Sequence, residues 1–218
     1  MKILITGSSS GIGLAVSIHF CSLGFDVIGL DRNPSKLSNP HYKHYQCDVS
    51  KFETLPDIDE VDYIFNNAGT QNEDDISNNL LGAINVTKKY SNSKVLKSIL
   101  YNASASGRSG FEFDIYVASK AGLIGYMKNV ACDLASRGIT VNSLSLGGVI
   151  TSSNDPVMKD KILWEKIMDA TPLKKWTSLD EVCEWVYFLL VKNKSMSGQD
   201  VLVDNGETNL NNTFVWPK

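Results

Sequence analysis

Short apolar runs alternate along this chain with longer stretches of helix-like periodicity. β-rich runs stand at residues 2–6, 26–30, 41–46, 63–66, 98–102, 140–146 and 201–203, and helical patterning covers 11–23, 76–90, 113–137, 158–170 and 178–191. Strand alternating with helix predicts an α/β fold of parallel strands joined by crossover helices. The helix from Phe113 carries Ala118, Ala121, Gly122 and Gly125 along one side. Small residues let a helix lie close to a sheet or to a second helix. No repeat, low-complexity block or linker interrupts the pattern, so 1–218 reads as a single domain. The tail 209–218 starts polar and ends Phe214-Val215-Trp216-Pro217. Such an apolar tip is expected to dock, within the chain or on a neighbouring subunit.

Composition removes several classes of function. The formal charge of −3 leaves no electrostatic footprint for nucleic acid. No apolar run approaches the ~20 residues that span a bilayer, so no membrane partner is expected. Met1 leads straight into Ile3-Leu4-Ile5 with no signal-peptide pattern, and a cytoplasmic protein is expected. Cys21, Cys47, Cys132 and Cys183 are widely spread and read as reduced thiols. His41 and His44 lack a visible third ligand, so no metal is expected.

Chemistry first shows in Thr6-Gly7-Ser8-Ser9-Ser10-Gly11-Ile12-Gly13. Three glycines follow a strand and open a helix, where backbone must turn tightly and approach phosphates closely. The helix N-terminus then offers free N–H groups to a pyrophosphate. Asp31 ends the next strand, about twenty residues beyond the glycines, where a carboxylate can accept hydrogen bonds from an adenosine ribose. It would repel a 2′-phosphate, and the glycine loop has no basic residue to pair with one. Arg32 pulls the other way, since a guanidinium suits a 2′-phosphate. NAD is favoured over NADP.

Tyr116 and Lys120 stand four apart in a helical stretch and share one face. A free phenol has a pKa near ~10, and a nearby ammonium brings it down into a range useful for proton transfer. Ser104 lies just past an apolar strand, where its hydroxyl can hold a substrate oxygen. A phosphate cradle followed by an acid–base pair reads as a nucleotide-dependent redox enzyme.

The combination resembles the short-chain dehydrogenase/reductase family along nearly the whole chain. The glycine segment matches that family's Thr-Gly-x-x-x-Gly-x-Gly. Cys47-Asp48-Val49 looks like its adenine-contacting strand end, and Asn66-Asn67-Ala68-Gly69 matches its Asn-Asn-Ala-Gly. Asn79-Leu80-Leu81-Gly82 looks like the segment with the catalytic asparagine, and Tyr116 to Lys120 matches the active-site motif. Residues 145–151 are similar to the loop over the nicotinamide, and 197–206 to the last strand and turn. The resemblance implies a Rossmann-type doubly wound sheet of about seven strands. It implies a catalytic group of Asn79, Ser104, Tyr116 and Lys120. Tyr116 would be the acid in reduction and the base in oxidation. Lys120 would bind the nicotinamide ribose and depress the Tyr116 pKa, Ser104 would hold the substrate oxygen, and Asn79 would hold a water linking Lys120 to solvent. Gly7, Ser9, Ser10, Gly11, Ile12, Gly13, Asp31, Arg32, Asp48, Val49, Asn67, Ala68, Gly69, Tyr116, Lys120, Gly147, Val149 and Thr151 would bind the cofactor. A homo-oligomer, dimer or tetramer, is implied by the same resemblance.

Departures from the family pattern are specific. The stretches from Asp48 to Asn66 and from Gly69 to Asn79 are short, which predicts trimmed central crossover helices and puts the family's oligomer geometry in doubt. Ser106 rivals Ser104 for the serine role. Leu146 replaces a usual proline, which is expected to loosen the nicotinamide loop, and Asn205 replaces a usual glycine.

Residues 152–176 occupy the family's substrate-lid position. Met158, Ile162, Leu163, Trp164, Ile167 and Met168 fit one apolar face of a helix there, with Trp176 just beyond. That face suits a partly apolar substrate or a core contact. Glu112 and Asp114 suit a polar substrate at the pocket mouth or a solvated loop. The function read from the sequence is hydride transfer between NAD and a small-molecule alcohol or carbonyl substrate. An NADPH-dependent 3-oxoacyl thioester reductase and a catalytically silent nucleotide sensor are the alternatives.

Overall fold

The structure, a computed structural model, describes residues 1–111 and 113–210. Glu112 and the apolar tip of the tail therefore lie outside the described residues.

Seven strands form one parallel sheet: β1 (Lys2–Thr6), β2 (Asp26–Asp31), β3 (Tyr42–Gln46), β4 (Tyr63–Asn66), β5 (Ser98–Asn102), β6 (Thr140–Leu146) and β7 (Asp200–Val203). Their spatial order is β3-β2-β1-β4-β5-β6-β7. β1 lies between β2 and β4, with Ile5 opposite Gly29 on one side and Phe65 on the other. This is the doubly wound Rossmann-type arrangement, and its order reverses between β1 and β4. Ligands in such sheets bind above the carboxyl ends of the strands at that reversal.

Strands β1, β2, β4 and β5 are buried on both faces because helices cover both. Successive residues point to opposite sides. Leu4, Ile64, Ile99, Tyr101 and Val141 join a core with α2 (Gly82–Tyr90) and α4 (Asp114–Leu134). Ile3, Ile5, Phe65, Leu100 and Leu144 join the other core with α1 (Gly11–Ser22) and α7 (Leu179–Tyr187). Each fully buried side chain of this size contributes about 1.5–3 kcal/mol.

The trimmed crossovers are present as expected. Between β3 and β4 the chain makes only the 3₁₀ turn Phe52–Thr54, and the helix before β5 opens with a π-helical stretch, Ile76–Leu81. The helix expected from Phe113 starts at Asp114 and runs α-helical to Leu134, closing in the 3₁₀ turn Ala135–Arg137. A short helix precedes it, α3 (Ala105–Ser109), which periodicity does not reveal. The lid is two helices, α5 (Asp155–Lys159) and α6 (Lys161–Ala170). Asp160 separates them because its carboxylate accepts from the Ile162 and Leu163 N–H groups, both at 3.1 Å, and starts a new helix.

Candidate active site

The cradle is built where β1 and β4 end side by side. The Thr6 hydroxyl accepts from the Asn67 and Ala68 N–H groups at 2.9 and 2.8 Å, and the Asn67 amide donates to the Thr6 carbonyl at 2.9 Å. A Cβ on Gly13 would stand 2.1 Å from the Gly7 carbonyl oxygen, so only glycine lets α1 start this close to the loop. Ser10 precedes α1 without a side-chain cap, which leaves the first-turn N–H groups to the cleft. At Gly11 a Cβ would meet nothing within 4 Å.

Asp31 is buried at the end of β2. Its Oδ2 accepts from the Ser9 N–H at 3.0 Å and its Oδ1 from the Asn33 N–H at 2.8 Å. The carboxylate thus ties the glycine loop to the turn after β2. Asp48, half-buried across the cleft, accepts from the Ser50 hydroxyl and N–H at 2.7 and 3.0 Å. The Ser50 hydroxyl chiefly holds its carboxyl below the ordinary range, with Lys51 and Arg32 adding to the effect.

One turn of α4 carries both Tyr116 and Lys120. Tyr116 is partly exposed, whereas Lys120 is 4% exposed. The Lys120 Nζ donates to the Asn102 carbonyl at 2.7 Å and lies 5.6 Å from the Tyr116 ring centre. Burial pulls its pKa down to about 8, and the charge of Asp75 opposes that fall. Ser104 is buried at the N-cap of α3, where its Oγ accepts from the Ser106 N–H at 3.2 Å. Ser106 is equally buried, and the Ser104 hydroxyl donates to its Oγ at 3.2 Å. A Cβ on Gly107 would stand 2.8 Å from the Lys120 carbonyl carbon. That glycine lets the helix capped by Ser104 press onto α4 at Lys120.

Asn79 is buried in the π-helical stretch. Its Oδ1 accepts from the Thr70 N–H at 2.7 Å, and its Nδ2 donates to the Thr70 carbonyl and the Ser119 hydroxyl, both at 3.0 Å.

One cleft joins these parts. Gly7, Ser10, Gly11, Ile12, Asp31, Arg32, Asp48, Val49, Asn67, Ala68, Gly69, Tyr116, Lys120 and Thr151 line it. Ser9, Gly13, Asn79, Ser104, Gly147 and Val149 do not line it. Thr70, Gln71, Asn78 and Asn102 line it without having been singled out from the sequence. The place of Asn102 at the end of β5, just before Ser104, was the available signal. Its Oδ1 is buried and accepts nothing from the described residues.

The lid is strapped to the loop above this cleft. The Thr177 N–H donates to the Gly148 carbonyl and the Ile150 N–H donates to the Thr177 carbonyl, both at 3.0 Å. Trp176 fills the space beside Gly148 and meets Trp164 of α6 edge to face, with centroids 5.0 Å apart. No residue of α6 is buried, and Ile162 is 70% exposed.

A family profile described as enoyl-(acyl carrier protein) reductase matches residues 7–208. A crystal structure of a short chain dehydrogenase family protein from Francisella tularensis superposes with a TM-score of 0.84 at 26% identity, covering 95% of this chain and 98% of that one. The chain belongs to the short-chain dehydrogenase/reductase family. It is thus related to oxidoreductases along nearly its whole length. A 3-oxoacyl-[acyl-carrier-protein] reductase of Buchnera aphidicola is 28% identical over 233 residues, which cover 93% of this chain and 95% of the relative. The structure of 4-hydroxyisoleucine dehydrogenase complexed with NADH has a TM-score of 0.84 and 28% identity, covering 95% of this chain and 98% of that one. Among the described residues, no helix is long and apolar enough to cross a membrane.

Proposed function

We propose that this short-chain dehydrogenase/reductase interconverts an alcohol and a carbonyl compound with NAD, and that Tyr116 moves the proton. The observation that carries this reading is the single cleft running from Asp31 to Tyr116 and Lys120. The residues fit a dinucleotide. The open side of Gly11 and the uncapped first turn of α1 suit its pyrophosphate. Each Asp31 oxygen already accepts one N–H and keeps a further lone pair for a ribose hydroxyl. When bound, the nicotinamide accepts hydride in oxidation and donates it in reduction.

The chain's own residues do the rest. Lys120 would hold the adjoining ribose and, as an ammonium beside Tyr116, favour the phenolate. In oxidation the substrate hydroxyl proton passes to the Tyr116 Oη, and in reduction it returns from there. Ser104 would hold the substrate oxygen. Asn79 acts as a brace, because its amide is committed to Thr70 and Ser119. It would also hold a water linking Lys120 to solvent. The lid, 152–176, covers the substrate end. The outward apolar residues of α6 suit a substrate with an apolar portion. We propose one functional unit over 1–218, acting in the cytoplasm as a dimer or tetramer.

The test is a titration of wild type and Tyr116→Phe with NADH and NADPH, followed by cofactor fluorescence and by turnover on a panel of alcohols and carbonyls. NADH is expected to bind about tenfold or more tightly than NADPH, a difference of ~1.4 kcal/mol. Tyr116→Phe keeps NADH binding and loses about 10²–10⁴ in turnover. A preference for NADPH would give Arg32 the upper hand and move 3-oxoacyl thioesters to the front. Binding with no turnover in wild type points to a sensor, and unaltered turnover in Tyr116→Phe rules out the mechanism.

A further inference from the structure

Nine residues separate Gly69 from Asn79, and this short connection carries a carboxylate with no part in the proposed chemistry. Asp75 is 1% exposed. Its Oδ1 accepts from the Thr70 hydroxyl at 2.8 Å and from the Asn72 N–H at 2.9 Å. Thr70 is held at its other polar atoms too. Asn79 takes its N–H and carbonyl, and the Asn78 amide donates to its hydroxyl at 3.1 Å. Gly69 stands directly before it, and a Cβ there would lie 2.9 Å from the Asn79 Oδ1 and 3.6 Å from the Lys120 Nζ. Gly69 is therefore the wall beside the buried ammonium, and the knot of Asp75, Thr70 and Asn79 holds it from behind.

We infer that Asp75 is a positioning residue for the acid–base pair: its carboxylate fixes this wall, and its negative charge keeps Lys120 an ammonium. The inference rests on the reading of Lys120 and Tyr116 given above. Burial pulls the Lys120 pKa down to about 8, and the charge of Asp75 works against that fall. The other groups facing Lys120 are Tyr116 from its own helix and the neutral Asn102 carbonyl from β5.

The Lys120 ionisation can be followed directly through its ¹³Cε shift in the cofactor-free protein, beside NADH binding across the same pH range. Asp75→Asn keeps an acceptor for Thr70 and removes the charge. It is expected to lower the Lys120 midpoint by about one unit, the low end of what a nearby opposite charge contributes. The pH above which NADH binding fails should fall with it. Thr70→Val breaks the same hydrogen bond but keeps the charge, so its midpoint stays at the wild-type value. An unchanged midpoint in Asp75→Asn overturns the inference. A midpoint that moves while NADH binds no variant upholds it and overturns the cofactor reading instead. Should Asp75→Asn not fold, the wild-type Asp75 ¹³Cγ curve decides. An inflection at the Lys120 midpoint supports the coupling, and a flat curve overturns it.

Discussion

Lys120 is a cation placed where water barely reaches. Its pKa of about 8 lies below the ordinary lysine value, so the unfolded chain binds the proton more tightly than the folded one. The cost to stability is full below about pH 8. It fades as pH rises toward the ordinary value of ~10.4, where both states are neutral. Two and a half units correspond to about 3 kcal/mol. Lys120→Met should therefore abolish turnover and raise urea stability at pH 7 by about 1–2 kcal/mol. The gain is smaller than the full amount because the Asn102 carbonyl loses its donor and Asp75 its counter-charge. The gain should shrink between pH 8 and 10, and a variant less stable than wild type at pH 7 would contradict the account. Tyr116 and Lys120 were legible in the sequence because helical spacing puts them on one face and the glycine loop and the other motifs give that pair a context. Asp75, Thr70 and Asn102 were not, since only the fold brings the end of β5 and the connection after Gly69 around α4.

Among the elements, α3 was the least visible and is among the most consequential. Ser104-Ala105-Ser106-Gly107 reads as a loop, and five residues are too few to show a helical period. The helix exists because Ser104 caps it and α4 receives it at Gly107. Gly107→Ala should force α3 away from Lys120, since a Cβ would meet the Lys120 carbonyl carbon at 2.8 Å and the Ala121 nitrogen at 2.9 Å, both backbone atoms. A stability loss of about 1–3 kcal/mol in urea unfolding is expected, with turnover falling further than NADH affinity because Ser104 moves with the helix. Equal losses in both would detach Ser104 from the substrate end. The strands were read almost to the residue, because apolar runs buried on both faces admit few other assignments. The lid was misread as one helix because its apolar period runs across Asp160, whose capping role shows only in three dimensions.

At the scale of the molecule, α7 and the π-helical stretch that follows it, Phe188–Lys192, turn apolar surface outward. Trp185 and Phe188 are 38% and 47% exposed and meet edge to face at 6.4 Å. A homo-oligomer is the proposal that accounts for such exposure, and light scattering at working concentration should give a multiple of 24.0 kDa. A monomer would defeat it. The doubly wound sheet of about seven strands followed from the motifs, whereas the subunit contact is a property of surface shape that no motif encodes. The parallel run of all seven strands also bears on how this chain can change over time. The carboxyl ends of the central strands open on the cleft, and the amino ends lie on the far side. Residues such as Asp62 and Arg137 serve packing and charge balance on the far side. Drift there leaves specificity intact. Loops at the other rim cannot vary without altering what the enzyme accepts, so new substrates would be acquired from one end of the molecule while the opposite end records only descent.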